Sequence, residues 1–201
     1  MAEPVTLAEA RAQVDIIDAA ETTFDTFLTS LIAPARAYIE RESRFFWVAA
    51  TRSETFSAWG DGCVRHWSGG WQSRNQFLEI YRRPIASLGD ITYTDEAGAD
   101  QTLDASAYLA PLDAFPFRIY PAIGSSFPAL GAGGRITVEY TSGALDSTSE
   151  EYLLGKRAML LLIGHWFANR ESVIADTRAV SVEVQEAVAD ILSSLGPVSA
   201  Y

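Results

Sequence analysis

The chain has 201 residues, 48% of them hydrophobic and 20% charged, which is enough apolar material to bury a core as one globular unit. Its 26 acidic residues outnumber 15 basic ones, and the net charge of −11 argues against a surface that neutralises nucleic-acid phosphates or anionic lipids. A single cysteine, Cys63, excludes an internal disulfide framework. Charged residues precede any apolar run at the amino terminus, so we expect no secretory signal and synthesis in the cytoplasm.

Two helices are predicted in the amino-terminal part of the chain. Thr6 and Glu9 have the spacing of a capping box, which predicts a short helix from Leu7 to about Val14. A second helix is predicted over about 23–43, because apolar residues recur there at helical spacing along one face. These residues are Phe24, Phe27, Leu28, Leu31, Ile32, Ala35, Tyr38 and Ile39.

Helical structure should give way to β structure in the next part of the chain. Pro34 lies inside the apolar stripe, and a proline in a helix interior costs ~3 kcal/mol, so we expect a kink or break near 29–33. Aromatic, β-branched and alternating residues then predict a strand over 46–56, which Gly60 and Gly62 should end.

Residues 59–76 combine three tryptophans with four glycines and show no period, which is typical of a loop with its own aromatic packing. Trp59, Trp67 and Trp71 allow two interpretations. They pack the inside of an irregular loop, or they present aromatic faces that stack on sugars, bases or a partner protein.

The middle of the chain should contain five or six short strands. Asp95 to Gly98 supply turn residues between two of them and predict a hairpin, and Pro84 should lie at a strand edge or a bend. For Arg82 and Arg83 we considered a solvated strand end and contact with an acidic partner. The further strand candidates are 77–81, 90–94, 101–103, 108–112, 117–120 and 135–141.

A long helix over about 149–170 is apolar on nearly every side. Its run from Ala158 to Ala168 falls short of the ~20 apolar residues that a membrane span needs, so we expect its own core, neighbouring subunits or both to enclose it. A last helix over about 182–195 should end at Gly196. Its apolar stripe consists of Val184, Val188, Ile191 and Leu195.

These elements predict an α+β fold in which a β-rich lobe is inserted into a small helical bundle. The helices occupy about 7–43 and 149–195, and the lobe of short antiparallel strands occupies about 45–141. The second helix and the long apolar helix should pack on each other, because each needs an apolar partner. We expect one domain over 1–201.

The sequence supplies no convincing catalytic, cofactor or metal site. The glycines at 131–134 lead into a strand without the lysine and hydroxyl of a phosphate loop, which favours a turn. Cys63 and His66 have the spacing of half a zinc site, but no second cysteine exists. His165 is most simply a neutral imidazole with one hydrogen bond. We therefore expect a protein that is not an enzyme.

Six segments, read in order, resemble the head-to-tail connector proteins of tailed bacteriophages, also called adaptor or head-completion proteins. The departures from the family pattern are Pro34 and the segment 59–76. The segments are VTLAEAR at 5–11, LIAPARAYIE at 31–40, RRPIASLGDITYTDEAG at 82–98, ITVEYTSG at 136–143, AMLLLIGHWFANRES at 158–172 and the closing residues 188–201.

This resemblance implies a structural virion protein with no catalytic residues, cofactor or metal and no membrane contact. Such a protein forms a ring, expected to be a dodecamer, in the neck between capsid and tail. It binds the portal protein and downstream neck or tail proteins, and it extends a channel through which genomic DNA passes without sequence-specific binding. The host, and whether the particle is an infectious phage or a phage-derived one, stay open.

Two hypotheses follow from the resemblance. The stripe of the last helix docks on the portal or on an adjacent subunit, and part of the acidic surplus lines the lumen so that DNA slides. The alternatives are a head-closure or tail-terminator neck protein and, from another class, a carbohydrate-binding module that uses Trp67 and Trp71.

Overall fold

The computed structural model describes residues 3–18, 20–60, 77–169 and 182–195. The described chain forms four helices, one 3₁₀ turn and seven strands, and it divides into two compact units. The helical unit comprises residues 1–48 and 144–201, and the β unit comprises residues 49–143. The predicted α+β class, with helices at both ends of the sequence and a β-rich middle, is confirmed.

The helical unit contains all four helices. The capping box that opens the first one is confirmed: Thr6 Oγ1 accepts a hydrogen bond from the Glu9 amide at 3.3 Å, and the Thr6 amide donates to Glu9 Oε2 at 2.9 Å. The long apolar helix is capped by Ser149, whose Oγ accepts from the Tyr152 amide. The helices are α1 (Leu7–Gln13), α2 (Asp25–Ser43), α3 (Glu150–Ala168) and α4 (Val182–Ser194).

Helix α2 runs without interruption through Pro34, so the break predicted near 29–33 is wrong. Pro34 and Ser30, whose carbonyl loses its helical partner, both lie on the exposed face, where water can replace the missing amide. The opposite face is buried along the whole helix, and this packing outweighs the local penalty.

Helices α2 and α3 pack on each other, as predicted, and share one hydrophobic core. The rings of Phe24 and Phe27 on α2 lie 5.4 and 6.2 Å from the ring of Phe167 on α3. The most fully buried large side chains of this core are Leu28, Ile39, Met159, Leu162 and Ile163.

The β unit contains two antiparallel sheets. The four-stranded sheet has the order β1-β7-β3-β4, and the three-stranded sheet has the order β2-β6-β5. Burial alternates along β7, as expected for a strand with one covered face. The strands are β1 (Ala50–Phe56), β2 (Leu78–Ile80), β3 (Ile85–Thr94), β4 (Asp100–Thr102), β5 (Tyr108–Leu109), β6 (Phe117–Pro121) and β7 (Ile136–Ser142).

Several predicted strand limits are corrected. The strand expected from residue 46 begins at Ala50, because Trp47 and its neighbours are buried in irregular backbone whose aromatic content imitates a strand. Strand β3 begins at Ile85 instead of 90, since two register shifts against β7 interrupt the alternation that sequence reading relies on. Seven strands, rather than five or six, lie in the described part of the chain.

Turn chemistry explains how the long strand is returned. The predicted hairpin forms between β3 and β4, and Asp95 Oδ1 accepts from the amides of Ala97 and Ala99, both at 2.9 Å. Gly98 adopts a positive φ of 82° in this turn. Pro84 lies in the bend between β2 and β3, as predicted.

Candidate assembly surfaces

The apolar stripe of α4 faces the core of its own helical unit. Val188 and Leu195 are only 2% and 6% exposed, while Val184 and Ile191 are half-buried and pack against the same cluster. This cluster also contains the buried residues of α3. The docking of this stripe on another protein stays a prediction.

Arg82 and Arg83 lie between β2 and β3 and are both half-buried. The guanidinium of Arg83 lies 4.5 Å from the centre of the Phe115 ring, a cation–π geometry. Because Phe115 is 38% exposed, this contact holds a positive charge beside an exposed aromatic surface. Contact of this pair with an acidic partner stays a prediction.

Trp67 and Trp71, together with Cys63 and His66, lie outside the described residues. The structure does describe Trp59, whose ring stacks on Phe127 at 4.2 Å and 16°. The packing interpretation therefore holds for Trp59.

The polar face shared by β1 and β7 is internally satisfied. Tyr140 Oη donates to Glu54 Oε1 at 2.9 Å, and Ser142 Oγ accepts from the Ala50 amide and from Arg52 Nε at 3.0 and 3.2 Å. Burial, followed by the charge of Glu54, raises the pKa of Tyr140 far above its ordinary value. This tyrosine therefore stays a neutral hydrogen-bond donor at physiological pH, and the arrangement braces the sheet.

His165 and the 131–134 glycines have structural roles. The amide Nδ2 of Asn169 lies 3.2 Å from His165 Nδ1 within the last turn of α3, the contact expected of a neutral ring. The Gly134 amide donates to the Gly131 carbonyl at 2.8 Å and closes a turn that leads into β7, so the turn interpretation is confirmed.

Two further observations limit the chemistry. Among residues 3–18, 20–60, 77–169 and 182–195, no three His, Cys, Asp or Glu side chains are grouped closely enough to hold a metal ion. No helix in this part of the chain has both the length and the hydropathy that a membrane crossing requires.

The β5–β6 hairpin carries an exposed apolar surface that the sequence analysis missed. Leu109, Leu112 and Phe115 are 48%, 42% and 38% exposed and lie at or near its loop. We call these three residues the hairpin patch. Sequence alone offered no signal for it, because exposed and buried leucines look the same until the packing partners are known.

An open groove of about 440 Å³ lies along α1 in the helical unit, and it was also missed. Arg11 shapes the chain that follows this helix, since it donates to the carbonyl oxygens of Asp18 and Glu21 and forms an ion pair with Asp25 at 3.2 Å. Ile17, at the groove, is 88% exposed. We call this feature the α1 groove, and its lining residues are Leu7, Ala8, Arg11, Ala12, Ile16 and Ile17.

The acidic surplus is concentrated in the helical unit. Sixteen of the 26 acidic residues lie in 1–48 and 144–201, where they outnumber the basic residues two to one. Three exposed carboxylates follow α1 near its groove, on Asp15, Asp18 and Glu21, and none has an ion-pair partner among the described residues.

No protein-family model and no curated protein matches the chain, whereas several solved structures share its fold. A chain from the neck of an empty gene transfer agent (GTA) particle, computed with C6 symmetry, is 20% identical, with a TM-score of 0.68 over 100% of this chain and 95% of that one. A chain from the virion of a native GTA particle is 18% identical, with a TM-score of 0.67 over 98% and 92% of the two chains. A chain from the neck of a native GTA particle, computed with C12 symmetry, is 20% identical, with a TM-score of 0.61 over 100% and 94%. This chain thus has, over essentially its whole length, the fold of proteins found in GTA particles and their necks.

Proposed function

We propose that this protein is a head-to-tail connector of a phage-like particle. It forms a ring in the neck below the portal, extends the DNA channel, and joins the capsid to downstream neck and tail proteins. The observation that carries this proposal is the fold shared with the GTA neck chain over 100% of this chain and 95% of that one. Near-complete coverage of both chains means that the whole architecture is shared, including the inserted β unit.

The proposed assembly is a closed ring of twelve subunits. Chains with this fold occur in necks computed with C6 and C12 symmetry, which supports a cyclic arrangement. A cyclic ring above two subunits requires two different surfaces on each subunit, so that one copy's first surface meets the next copy's second. The hairpin patch and the α1 groove are two such surfaces.

Localisation in intact particles tests the proposal. Electron microscopy of the virion should find this subunit in a ring in contact with the portal. Deletion of its gene should leave DNA-filled heads that carry no tails, and expression of the protein in trans should restore them. A subunit bound to the tail tube instead would favour the head-closure or tail-terminator alternative. Virions that lack the protein would refute the proposal.

Docking of α4 on the portal is a separate proposal with its own test. Truncation after Arg178 would also remove the buried Val188 and Leu195, so lost attachment could reflect a damaged core. Ile191→Gln changes a half-buried position instead. It should reduce portal binding while the melting temperature stays near that of the wild type, and Glu186→Gln on the exposed part of α4 should do neither. Unchanged portal binding by Ile191→Gln would refute the assignment.

The acidic surplus supports a channel wall that repels DNA phosphates and lets the genome slide. Once a neck reconstruction identifies carboxylates facing the lumen, their replacement by lysine should slow DNA exit. Ejection at an unchanged rate would count against this role.

A further inference from the structure

We propose that the hairpin patch of one subunit inserts into the α1 groove of the next copy and forms the repeating contact of the ring. The proposal deepens the function proposed above and rests on it. Its partner is a second copy of this chain. One apolar surface projects from a β-hairpin, the other is concave, and both are exposed in the same polypeptide.

The two surfaces match in size and polarity. A groove of about 440 Å³ falls within the ~300–1,000 Å³ of sites that enclose a few apolar groups. Its lining is apolar except for Arg11, whose guanidinium is held by Asp25 and two carbonyl oxygens. The hairpin offers Leu109, Leu112 and Phe115 within seven residues, which is compact enough to enter one groove.

Charge favours the same pairing. Arg83 lies on the Phe115 ring, at the margin of the hairpin patch, so a positive charge accompanies the patch into any interface. The exposed carboxylates of Asp15, Asp18 and Glu21 follow α1 beside the groove. Asp113 in the hairpin loop is the exception to this complementarity, and the adjacent Arg82 and Arg83 outnumber it. Opposite charges at the rim of an interface select the partner surface and its orientation.

The contact is heterologous, because the patch and the groove belong to different units of the chain. A contact of this type cannot be satisfied within a two-fold dimer by one pair of surfaces, and it propagates until a ring closes. The geometry of one repeated contact thus accounts for a closed neck ring without a second specific interface.

Disulfide trapping tests the contact in assembled particles. In a Cys63→Ser background, Ile17→Cys is placed at the groove and Leu112→Cys in the hairpin patch, both at exposed positions that the fold tolerates. Mild oxidation of virions with the double variant should yield a ladder of cross-linked subunits, since a disulfide forms only when the two Cβ atoms lie about 3.5–4.5 Å apart. Each single-cysteine variant should give no ladder.

A matched control uses the same groove cysteine with Ile123→Cys. Ile123 is 94% exposed and follows β6, at the end of the hairpin away from its loop, so this pair should not cross-link. A ring visible by electron microscopy without any ladder from the Leu112 pair would overturn the contact and leave the proposed function intact. Particles without the subunit would instead overturn the proposed function.

Charge reversal provides a second, non-covalent test. Arg83→Glu should weaken self-association roughly tenfold, because it places a carboxylate against the acidic margin of the groove. Asp15→Arg in the same protein should restore association. Arg135→Glu makes the same charge change at an exposed position of the β unit outside the patch and should leave association unchanged. Failure of the double variant to recover would overturn the proposed orientation.

Discussion

The two units of this protein reach their cores by different routes. The helical unit joins residues 1–48 to 144–201, so its core forms only when distant parts of the chain meet. The β unit is one continuous segment whose first and last strands pair with each other, with Ala50 opposite Ser142. Directly paired residues in antiparallel strands lie about 5 Å apart, so the inserted segment leaves and re-enters the helical unit at nearly one point.

This difference shows why so large an insertion is tolerated. The β1–β7 pairing closes the inserted segment by itself, and the helical unit then needs to join only two adjacent chain ends. Closure of a loop costs an entropy that grows slowly with its length, and a pre-formed β unit reduces that cost further. Each of the following predictions perturbs one unit and uses the other, or a neighbouring position, as reference.

The largest effect should come from truncation of a core side chain in either unit. Leu162→Ala in the helical unit and Ile119→Ala in the β unit remove side chains that are 1% and 0% exposed, and each should lower the free energy of unfolding by about 2–5 kcal/mol. Urea unfolding followed by circular dichroism measures both. If 1–201 is one domain, as the sequence predicts, both variants shift a single transition; two transitions that move separately would contradict this.

Leu153→Ala is the control for both core variants. Leu153 lies on α3 but is 55% exposed, so its truncation should change the free energy of unfolding by less than about 0.5 kcal/mol.

A close approach within the helical unit should make one glycine irreplaceable. A Cβ at Gly155 would lie 2.0 Å from Cζ2 of Trp47, whose ring is buried, so Gly155→Ala should cost about 1–3 kcal/mol. Gly164→Ala, on the same helix, would meet only the flexible Gln13 side chain at 3.4 Å and should be neutral or stabilise by up to about 1 kcal/mol. Thermal melts of the two variants should move in opposite directions, and equal shifts would contradict this account.

Glu40 should matter more than its neighbours on α2 because it is buried. Its carboxylate accepts from the Trp47 amide at 3.1 Å and from Arg36 Nη1 at 3.0 Å, which fixes the chain as it leaves the helix. Glu40→Ala leaves both donors without this acceptor and should cost about 1–3 kcal/mol by chemical denaturation. Glu42→Ala, at an exposed position, should cost less than about 0.5 kcal/mol. A similar loss in the two variants would argue against the role of Glu40.

The smallest effect should come from the capping box of α1, and it should depend on pH. Burial alone would raise the pKa of Glu9, but hydrogen bonds from Lys156 and Thr6 hold this pKa below its ordinary value. A depressed pKa stabilises the fold above the unfolded pKa, and this contribution is lost as the pH falls through the lowered folded value. Thr6→Ala should cost about 1 kcal/mol at pH 7.

The pH dependence provides the check. The stability difference between the wild type and Glu9→Gln should be present at pH 7 and should shrink below about pH 4, where the wild-type carboxyl takes up a proton. A difference that stays constant from pH 7 to pH 3 would exclude an ionised Glu9 as its source.

Local chemistry made much of the fold predictable. The Thr6–Glu9 capping box, the turn at Asp95 and the stripe from Phe24 to Ile39 each act within a few residues or along one helix face, so the sequence expresses them directly. The pairing of α2 with α3 followed because two strongly apolar helices in one small protein have few other ways to leave water.

The errors arose where distant contacts outweigh local preference. Pro34 is accommodated because the opposite face of α2 is buried along its length, and the aromatic residues around Trp47 are buried without strand pairing. The candidate surfaces were harder still. The α4 stripe was predicted as a docking surface and packs against its own unit, whereas the hairpin patch and the α1 groove were not predicted at all.

By itself the sequence determined which segments are helical, which are extended and how strongly acidic the chain is, because capping, periodicity and charge are properties of residues and their near neighbours. Only the tertiary structure decided that β1 and β7 close the β unit, that Gly155 admits the Trp47 ring, and that Leu109 and Ile17 remain exposed. Exposure is a difference between what a side chain could touch and what the folded chain brings to it, and that difference exists only once the whole chain has packed.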